Sequence, residues 1–179
     1  MSGADGDGNR NKMKEIKVEK VVVNIGVGEA GERLSRAEKV IKLITDHQPT
    51  KTLSKTTNRD LGVRVGMPVG LKVTLRDKDA MDFLKRAFWV KQNKIMEYSF
   101  DREGNFSFGI SDYTDFEGMK YDPDIGIFGL DVNVTLARAG KRVAQRRRAK
   151  GRIPHSHRIT REESYDYLKE NFQVEVVPE

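Results

Sequence analysis

Three segments of this chain alternate strictly between large apolar residues and polar or small ones, and this pattern constrains the fold more than any other feature. They span residues 71–75, 106–110 and 130–136. Because successive side chains of a β-strand point to opposite faces of a sheet, one face of these strands packs against a core and the other stays polar. The alternation therefore predicts an antiparallel sheet with one open face.

The remaining segments add two more strands and three helices. β-Branched residues are dense from Val18 to Val27, which predicts a strand. Between Glu32 and His47 the apolar residues recur at the spacing of one helix face, and Pro49 follows as a helix terminator. The same reasoning predicts a helix over Lys78–Phe88 with Asp77 as its N-cap, a helix over Arg161–Asn171 and a short edge strand over Val174–Val177.

The predicted fold class is α+β: an antiparallel sheet with helices packed on one face, a long hairpin loop and a basic C-terminal extension. Residues 1–13 are polar and glycine-rich and are predicted to form a disordered tail. Residues 14–137 would form the α+β domain, with the hairpin loop at about residues 62–71. Residues 138–179 would add a basic segment and the C-terminal helix to the same domain. The open face of the sheet is predicted to carry Asn24, Lys72, Thr74, Asn105 and Asn133.

Positive charge is concentrated in one acid-free segment. The net charge of the chain is +6, yet residues 138–161 contain ten Lys or Arg and no Asp or Glu. Unpaired cations in such a run repel one another, and a polyanion removes this repulsion while releasing its own counterions. A membrane surface fits less well, because the run lacks the large apolar residues of an interfacial helix. The segment is therefore predicted to bind nucleic acid through Arg138, Lys141, Arg142, Arg146, Arg147, Arg148, Lys150, Arg152 and Arg158.

A stretch punctuated by glycine and proline, Val63 to Gly70, predicts the tip of a hairpin loop. Met67 and Val69 would be exposed there, with Arg64 and Lys72 alongside. Exposed apolar residues flanked by cations suit RNA, because they offer stacking and phosphate contacts together. An ordinary surface loop is an equally good interpretation of this composition.

Several other kinds of chemistry have no support in the sequence. The chain contains no cysteine, which excludes disulfides, thiolate metal sites and a cysteine nucleophile. His155 and His157 lack the further ligands of a zinc site, and the acids between Asp112 and Asp124 lack EF-hand spacing. No nucleophile–base–acid arrangement stands out, and no segment has the length and hydrophobicity of a membrane helix or signal peptide. We therefore expect a soluble, cytoplasmic protein that is not an enzyme and holds no metal or cofactor.

One motif keeps an enzymatic alternative open. Residues Gly26–Gly31 read G-x-G-x-x-G between a predicted strand and a predicted helix, which is the context of a dinucleotide-binding turn. The acidic residue that should follow to hold a ribose is absent, since residues 48–57 contain no Asp or Glu. The other interpretation is a tight turn whose glycines permit close approach of the next helix or of a phosphate backbone. A nucleotide-binding enzyme using this turn is thus the alternative to a nucleic-acid-binding protein.

Three motifs together resemble one family, ribosomal protein five of the large subunit, the universal binder of 5S rRNA. They are VVNIGVGE at Val22–Glu29, VGMPVGLKVTLR at Val65–Arg76 and IFGLD at Ile127–Asp131. The resemblance extends from about Glu15 to Val177. The basic residues 145–160 are similar to the archaeal and eukaryotic branch, because the bacterial type lacks this segment.

The resemblance implies a domain that attaches 5S rRNA to the large subunit within the central protuberance. The family's 5S rRNA-binding residues correspond here to Asn24, Gln48 and Thr74, whose uncharged side chains suit recognition of RNA shape and 2′-hydroxyl groups. The basic segment would lie against large-subunit rRNA, on a protein that is ribosome-bound in the cytoplasm. Neighbouring ribosomal proteins, including one of the small-subunit head, are further implied partners, and no membrane is. The part of the family's hairpin that reaches the elbow of the P-site tRNA corresponds to Arg64, Val65, Gly66, Met67 and Pro68.

Overall fold

The computed structural model of the protein describes residues 11–178. Most of the predicted disordered tail, residues 1–13, therefore lies outside the described residues. Residues 11–14 form a turn in which the Lys14 N–H donates to the Asn11 carbonyl oxygen at 2.8 Å.

Five strands form one antiparallel sheet, and two short strands form a separate parallel pair. The strands are β1 (Ile16–Gly26), β2 (Thr50–Leu53), β3 (Pro68–Leu75), β4 (Lys94–Met96), β5 (Phe106–Ile110), β6 (Leu130–Arg138) and β7 (Glu175–Val177). The order in the main sheet is β2-β3-β1-β6-β5, and β4 pairs with β7. Because every neighbouring pair in the main sheet is antiparallel, the predicted α+β class is confirmed.

Residues 11–178 contain four helices, and the first two pack on one face of the main sheet. The helices are α1 (Glu32–Thr45), α2 (Asp77–Val90), the single turn α3 (Arg142–Gln145) and α4 (Arg161–Phe172). Short 3₁₀ turns lie at Glu97–Ser99, Tyr113–Asp115 and His155–His157. α1 contacts β3 and α2 contacts β1. All five apolar residues predicted for the buried face of the first helix are buried: Leu34, Ala37, Val40, Ile41 and Ile44.

The period-two segments also pack as predicted. In these three segments, residues 71–75, 106–110 and 130–136, every large apolar side chain is buried except Phe108, which is half-buried. The aromatic rings of β5 pack on α2, where the centroids of Phe88 and Phe108 lie 5.6 Å apart. Phe172 of α4 meets Phe88 edge-on at 5.1 Å, so the C-terminal helix shares the same core.

Two local predictions are wrong. The first helix ends at Thr45 rather than His47, because Asp46 adopts a left-handed conformation (φ 54°) and donates its N–H to the Lys42 carbonyl. Asp77 is the first residue of α2 and not its cap, since Arg76 occupies the N-cap position in extended conformation. The predicted short C-terminal strand is present as β7, which pairs with β4.

The hairpin between β2 and β3 also differs from the prediction. Its outer turn is formed by residues 59–62, beyond a bridge between Asn58 and Val63. The predicted tip, Val63 to Gly70, lies nearer the strands and overlaps the start of β3. Within it, Gly66 donates its N–H to the Ser54 carbonyl at 3.0 Å. Gly70 serves close packing rather than a turn, because a Cβ there would lie 2.8 Å from the Ile25 carbonyl oxygen.

Candidate nucleic-acid interface

The face of the main sheet opposite α1 and α2 carries two rows of small or polar side chains. Strand pairing fixes which residues stand beside each other, because directly paired residues share a face. One row runs through Thr50, Lys72, Asn24, Asp131 and Gly109. The adjacent row runs through Thr74, Val22, Asn133 and Ser107. We call these nine residues the open face.

The open face offers hydrogen-bonding groups and has almost no net charge. Its charged members are Lys72 and Asp131, whose opposite charges flank Asn24 in the same row. The Asn24 amide donates to the Asp131 carboxylate at 3.4 Å, a long bond between groups that remain accessible to water. Such a surface can recognise ribose hydroxyls and base edges, but it cannot attract RNA from a distance.

The structure brings together two of the three residues predicted to bind 5S rRNA. Asn24 and Thr74 lie in adjacent rows of the open face, since Thr74 pairs with Val22, two residues before Asn24. Gln48 is exposed in the connection between α1 and β2, and its amide donates to the Glu38 carboxylate of α1 at 3.1 Å. Its hydrogen bond thus directs it toward the helix layer.

Asn105 does not contribute to the open face as predicted. It is half-buried, and its side-chain oxygen accepts from the Leu136 N–H at 3.2 Å. Its amide nitrogen donates to the Asp101 carboxylate at 2.9 Å. Both ends of the side chain are therefore occupied within the protein.

The basic segment is attached to the rest of the fold by three ion pairs. Arg138 contacts Glu163 of α4 at 2.6 Å, and only 11% of the arginine side chain is exposed. Lys141 contacts Glu19 of β1 at 2.6 Å. The third pair joins Arg158 to Glu103 at 2.9 Å. These three cations, predicted from sequence to contact nucleic acid, already have acidic partners.

Glu19 is the acid most strongly engaged by the segment. Burial alone would raise the pKa of this carboxyl, but hydrogen bonds from Lys141 and Gln145 and the charges of Lys141 and Lys20 lower the pKa below its ordinary value. Gln145 of α3 donates to the carboxylate at 3.0 Å. One β1 carboxylate thereby holds both Lys141 and the α3 turn.

Six of the nine cations predicted to bind nucleic acid are exposed and form no ion pair within residues 11–178. One of them, Arg146, donates its Nε–H to the Ala149 carbonyl at 2.8 Å, which leaves its terminal nitrogens available. The six are Arg142, Arg146, Arg147, Arg148, Lys150 and Arg152, which we call the free cations. Their clustering gives residues 142–152 a concentrated positive charge of the kind that attracts a polyanion.

The residues exposed at the hairpin differ in part from those predicted from the sequence. Arg64, Val65 and Gly66 are exposed. Met67 and Val69, predicted to be exposed, are half-buried on either side of the half-buried Pro68. Leu61, in the outer turn, is 71% exposed. The turn residues around it, from Asn58 to Gly62, are the sequence signal that could have located this outer turn.

The glycine-rich turn is poorly arranged for a nucleotide. The N–H groups of Val27 and Gly28 both donate to the Val69 carbonyl, at 3.0 and 2.8 Å, so they are not available to a phosphate. The strand after α1 is β2, which lies beyond β3 rather than beside β1, so no parallel nucleotide-binding unit forms. The turn instead packs against the start of β3.

Neither a metal site nor a membrane-spanning helix is found within residues 11–178. No three His, Asp or Glu side chains in this range lie close enough together to hold a metal ion. No helix there has the length and apolar character needed to span a membrane.

Comparison with known proteins places the chain in a family. Residues 11–64 match the family described as ribosomal protein L5, and residues 68–167 match the C-terminal part of the same ribosomal family. Large ribosomal subunit protein uL5 of Thermoplasma acidophilum is 56% identical over 168 residues, covering 93% of this chain and 99% of that protein. The uL5 protein of Sulfurisphaera tokodaii is 49% identical, covering 93% and 95%, and that of Methanococcus maripaludis strain C5 is 46% identical, covering 95% and 96%. With both halves matched and relatives aligned over nearly their whole length, the chain belongs to the ribosomal protein L5 family.

Proposed function

We propose that this protein is a non-enzymatic structural constituent of the large ribosomal subunit that binds 5S rRNA and attaches it to the subunit in the central protuberance. The names of its relatives support the large subunit as its location, bound to the ribosome in the cytoplasm. The observation that carries 5S rRNA binding is the open face, whose amide and hydroxyl groups lie in two adjacent rows with little net charge.

The other surfaces have separate roles in this proposal. The free cations lie against large-subunit rRNA and provide the long-range attraction that the open face lacks. The hairpin, with Arg64, Val65 and the exposed Leu61, contacts the P-site tRNA. Neighbouring ribosomal proteins, including one of the small-subunit head, complete the set of partners.

The decisive test removes hydrogen-bonding groups from the open face without changing its charge. The double variant Asn24→Ala, Thr74→Ala deletes two uncharged side chains, one half-buried and one exposed, and should leave the core intact. If each contributes one hydrogen bond to RNA, about 1 kcal/mol apiece, affinity for 5S rRNA should fall about tenfold or more. Gel-shift titration with purified 5S rRNA measures this.

A matched control is Asn171→Ala, which removes an exposed amide from α4 on another part of the fold. Circular dichroism should show unchanged folding for both proteins. Equal affinity of the wild type and the open-face double variant for 5S rRNA would contradict the proposed site. Equal affinity of the wild type for 5S rRNA and an unrelated structured RNA would contradict the proposed specificity.

A further inference from the structure

A cavity of about 520 Å³ lies between the basic segment and the end of β6. Its volume is within the range of small-molecule sites. The large apolar side chains of its lining are Leu136 of β6 and Ile153 and Ile159 of the basic segment. Its polar lining includes Lys150 and Arg152, two of the free cations. The cavity therefore combines an apolar wall with unpaired positive charge.

The other charged residues around this cavity already have partners. Glu103 is its one acidic lining residue, and it is paired with Arg158. Lys141 is paired with Glu19. No unpaired carboxylate of the described lining therefore opposes an anion at Lys150 and Arg152.

Arg138 provides a second, independent observation. The terminal nitrogens of its guanidinium contact Glu163 and the Arg158 carbonyl, yet its Nε–H is buried without a hydrogen-bond partner within residues 11–178. A buried donor left unpaired costs free energy, and an acceptor entering from the cavity would remove that cost. Arg138 lines this same cavity.

We infer that this cavity binds one unstacked nucleotide unit, with the base against the apolar wall, the phosphate at Lys150 and Arg152, and an acceptor atom toward the Arg138 Nε–H. An apolar surface beside a cation is the usual combination for an extruded nucleotide. The same chemistry is offered by a nucleotide of bound rRNA and by a free nucleoside monophosphate. The inference rests on the proposed contact between the basic segment and RNA.

The experiment compares two double variants of equal charge. Lys150→Gln, Arg152→Gln removes the two free cations that line the cavity. Arg147→Gln, Arg148→Gln removes two free cations that do not line it. A third variant, Ala144→Phe, fills the cavity without changing charge. The probes are a single-stranded oligoribonucleotide containing one 2-aminopurine, the same sequence as a duplex, and adenosine monophosphate. Affinity and 2-aminopurine fluorescence are measured on the full-length protein.

The Lys150, Arg152 variant and the filled-cavity variant should lose the fluorescence change and bind the single strand about tenfold more weakly, with little effect on the duplex. The Arg147, Arg148 variant should weaken both RNAs by the same factor. Saturable binding of adenosine monophosphate, lost in the first variant, would identify a free nucleotide as a ligand. Its absence alongside a fluorescence change would identify a nucleotide within RNA.

Identical behaviour of the two charge variants, or a fluorescence change that survives Ala144→Phe in a folded protein, would overturn the cavity site. Binding of both RNAs by the wild type without any fluorescence change would overturn it too, while leaving RNA binding by the segment intact. Failure of the wild type to bind either RNA at low salt would instead overturn the proposed contact of the segment with RNA, and the inference with it.

Discussion

Replacing Arg146, Arg147 and Arg148 together by Gln should flatten the salt dependence of binding to large-subunit rRNA. These three are half of the six free cations, whereas Arg138 and Lys141 are excluded because acids already neutralise them. Each phosphate contact contributes about 0.7–0.9 to the slope of log affinity against log salt concentration. Loss of three contacts should therefore reduce the slope by about 2–3. Filter binding to an rRNA fragment across a salt series measures it.

The matched control is the triple variant of Lys39, Lys85 and Lys169 to Gln. It removes the same charge from exposed positions on α1, α2 and α4. If attraction depends on the clustered free cations, the control should change the slope far less. Equal slopes for the two variants would show that net charge alone drives binding, and would refute the assignment of the electrostatic contact to residues 142–152.

Two further predictions concern stability. Gly104→Ala should lower the free energy of unfolding by about 2–4 kcal/mol in chemical denaturation, because residue 104 has φ +71° and its new Cβ would overlap the Ser164 Oγ. Gly109→Ala, whose new Cβ would lie 3.8 Å from its nearest neighbour, should cost much less. Folding lowers the pKa of the Glu19 carboxyl, so its ion pair should stabilise the fold at pH values above the ordinary carboxyl pKa of 4.5. That stabilisation should be lost as the pH falls through the lowered pKa of the folded state. Glu19→Gln should therefore lose less stability on acidification than the wild type in urea titrations, and an equal loss would contradict this role.

Much of the fold is predictable because its signals are local. A period-two strand places alternate residues in the core whatever its neighbours are, which is why residues 130–136 are buried and exposed as predicted. The apolar stripe of α1 is equally self-contained. Helix ends are less predictable, because the conformation of Asp46 and the capping position of Arg76 depend on single backbone angles. The spacing of apolar residues carries no information about those angles.

The candidate interface is less predictable because it depends on long-range partners. An acid-free run appears uniformly unpaired in sequence, yet Glu19 is 122 residues before Lys141 and becomes its partner only in the folded chain. In the sequence, Gly70 resembles a turn residue. In the fold it is a close-packing residue, because Ile25 of β1 and Thr52 of β2 both approach it. The alternation of the sequence places Asn105 on the open face. In the fold, however, both ends of its side chain form hydrogen bonds within the protein, one to Asp101 and one to Leu136.

The three ion pairs restrict the conformational freedom of the stretch that carries the free cations. Arg138 and Lys141 precede them in sequence and Arg158 follows them, so the stretch is fixed to the fold at both ends. Within it, the Gly151 N–H donates to the Val143 carbonyl at 3.1 Å and closes the stretch into a loop. A cationic tail fixed at one end would lose much conformational entropy on binding a polyanion, whereas a closed loop has lost part of it on folding. The acids on β1, on α4 and before β5 therefore do more than neutralise charge, because they hold the remaining cations where a phosphate backbone can meet several at once.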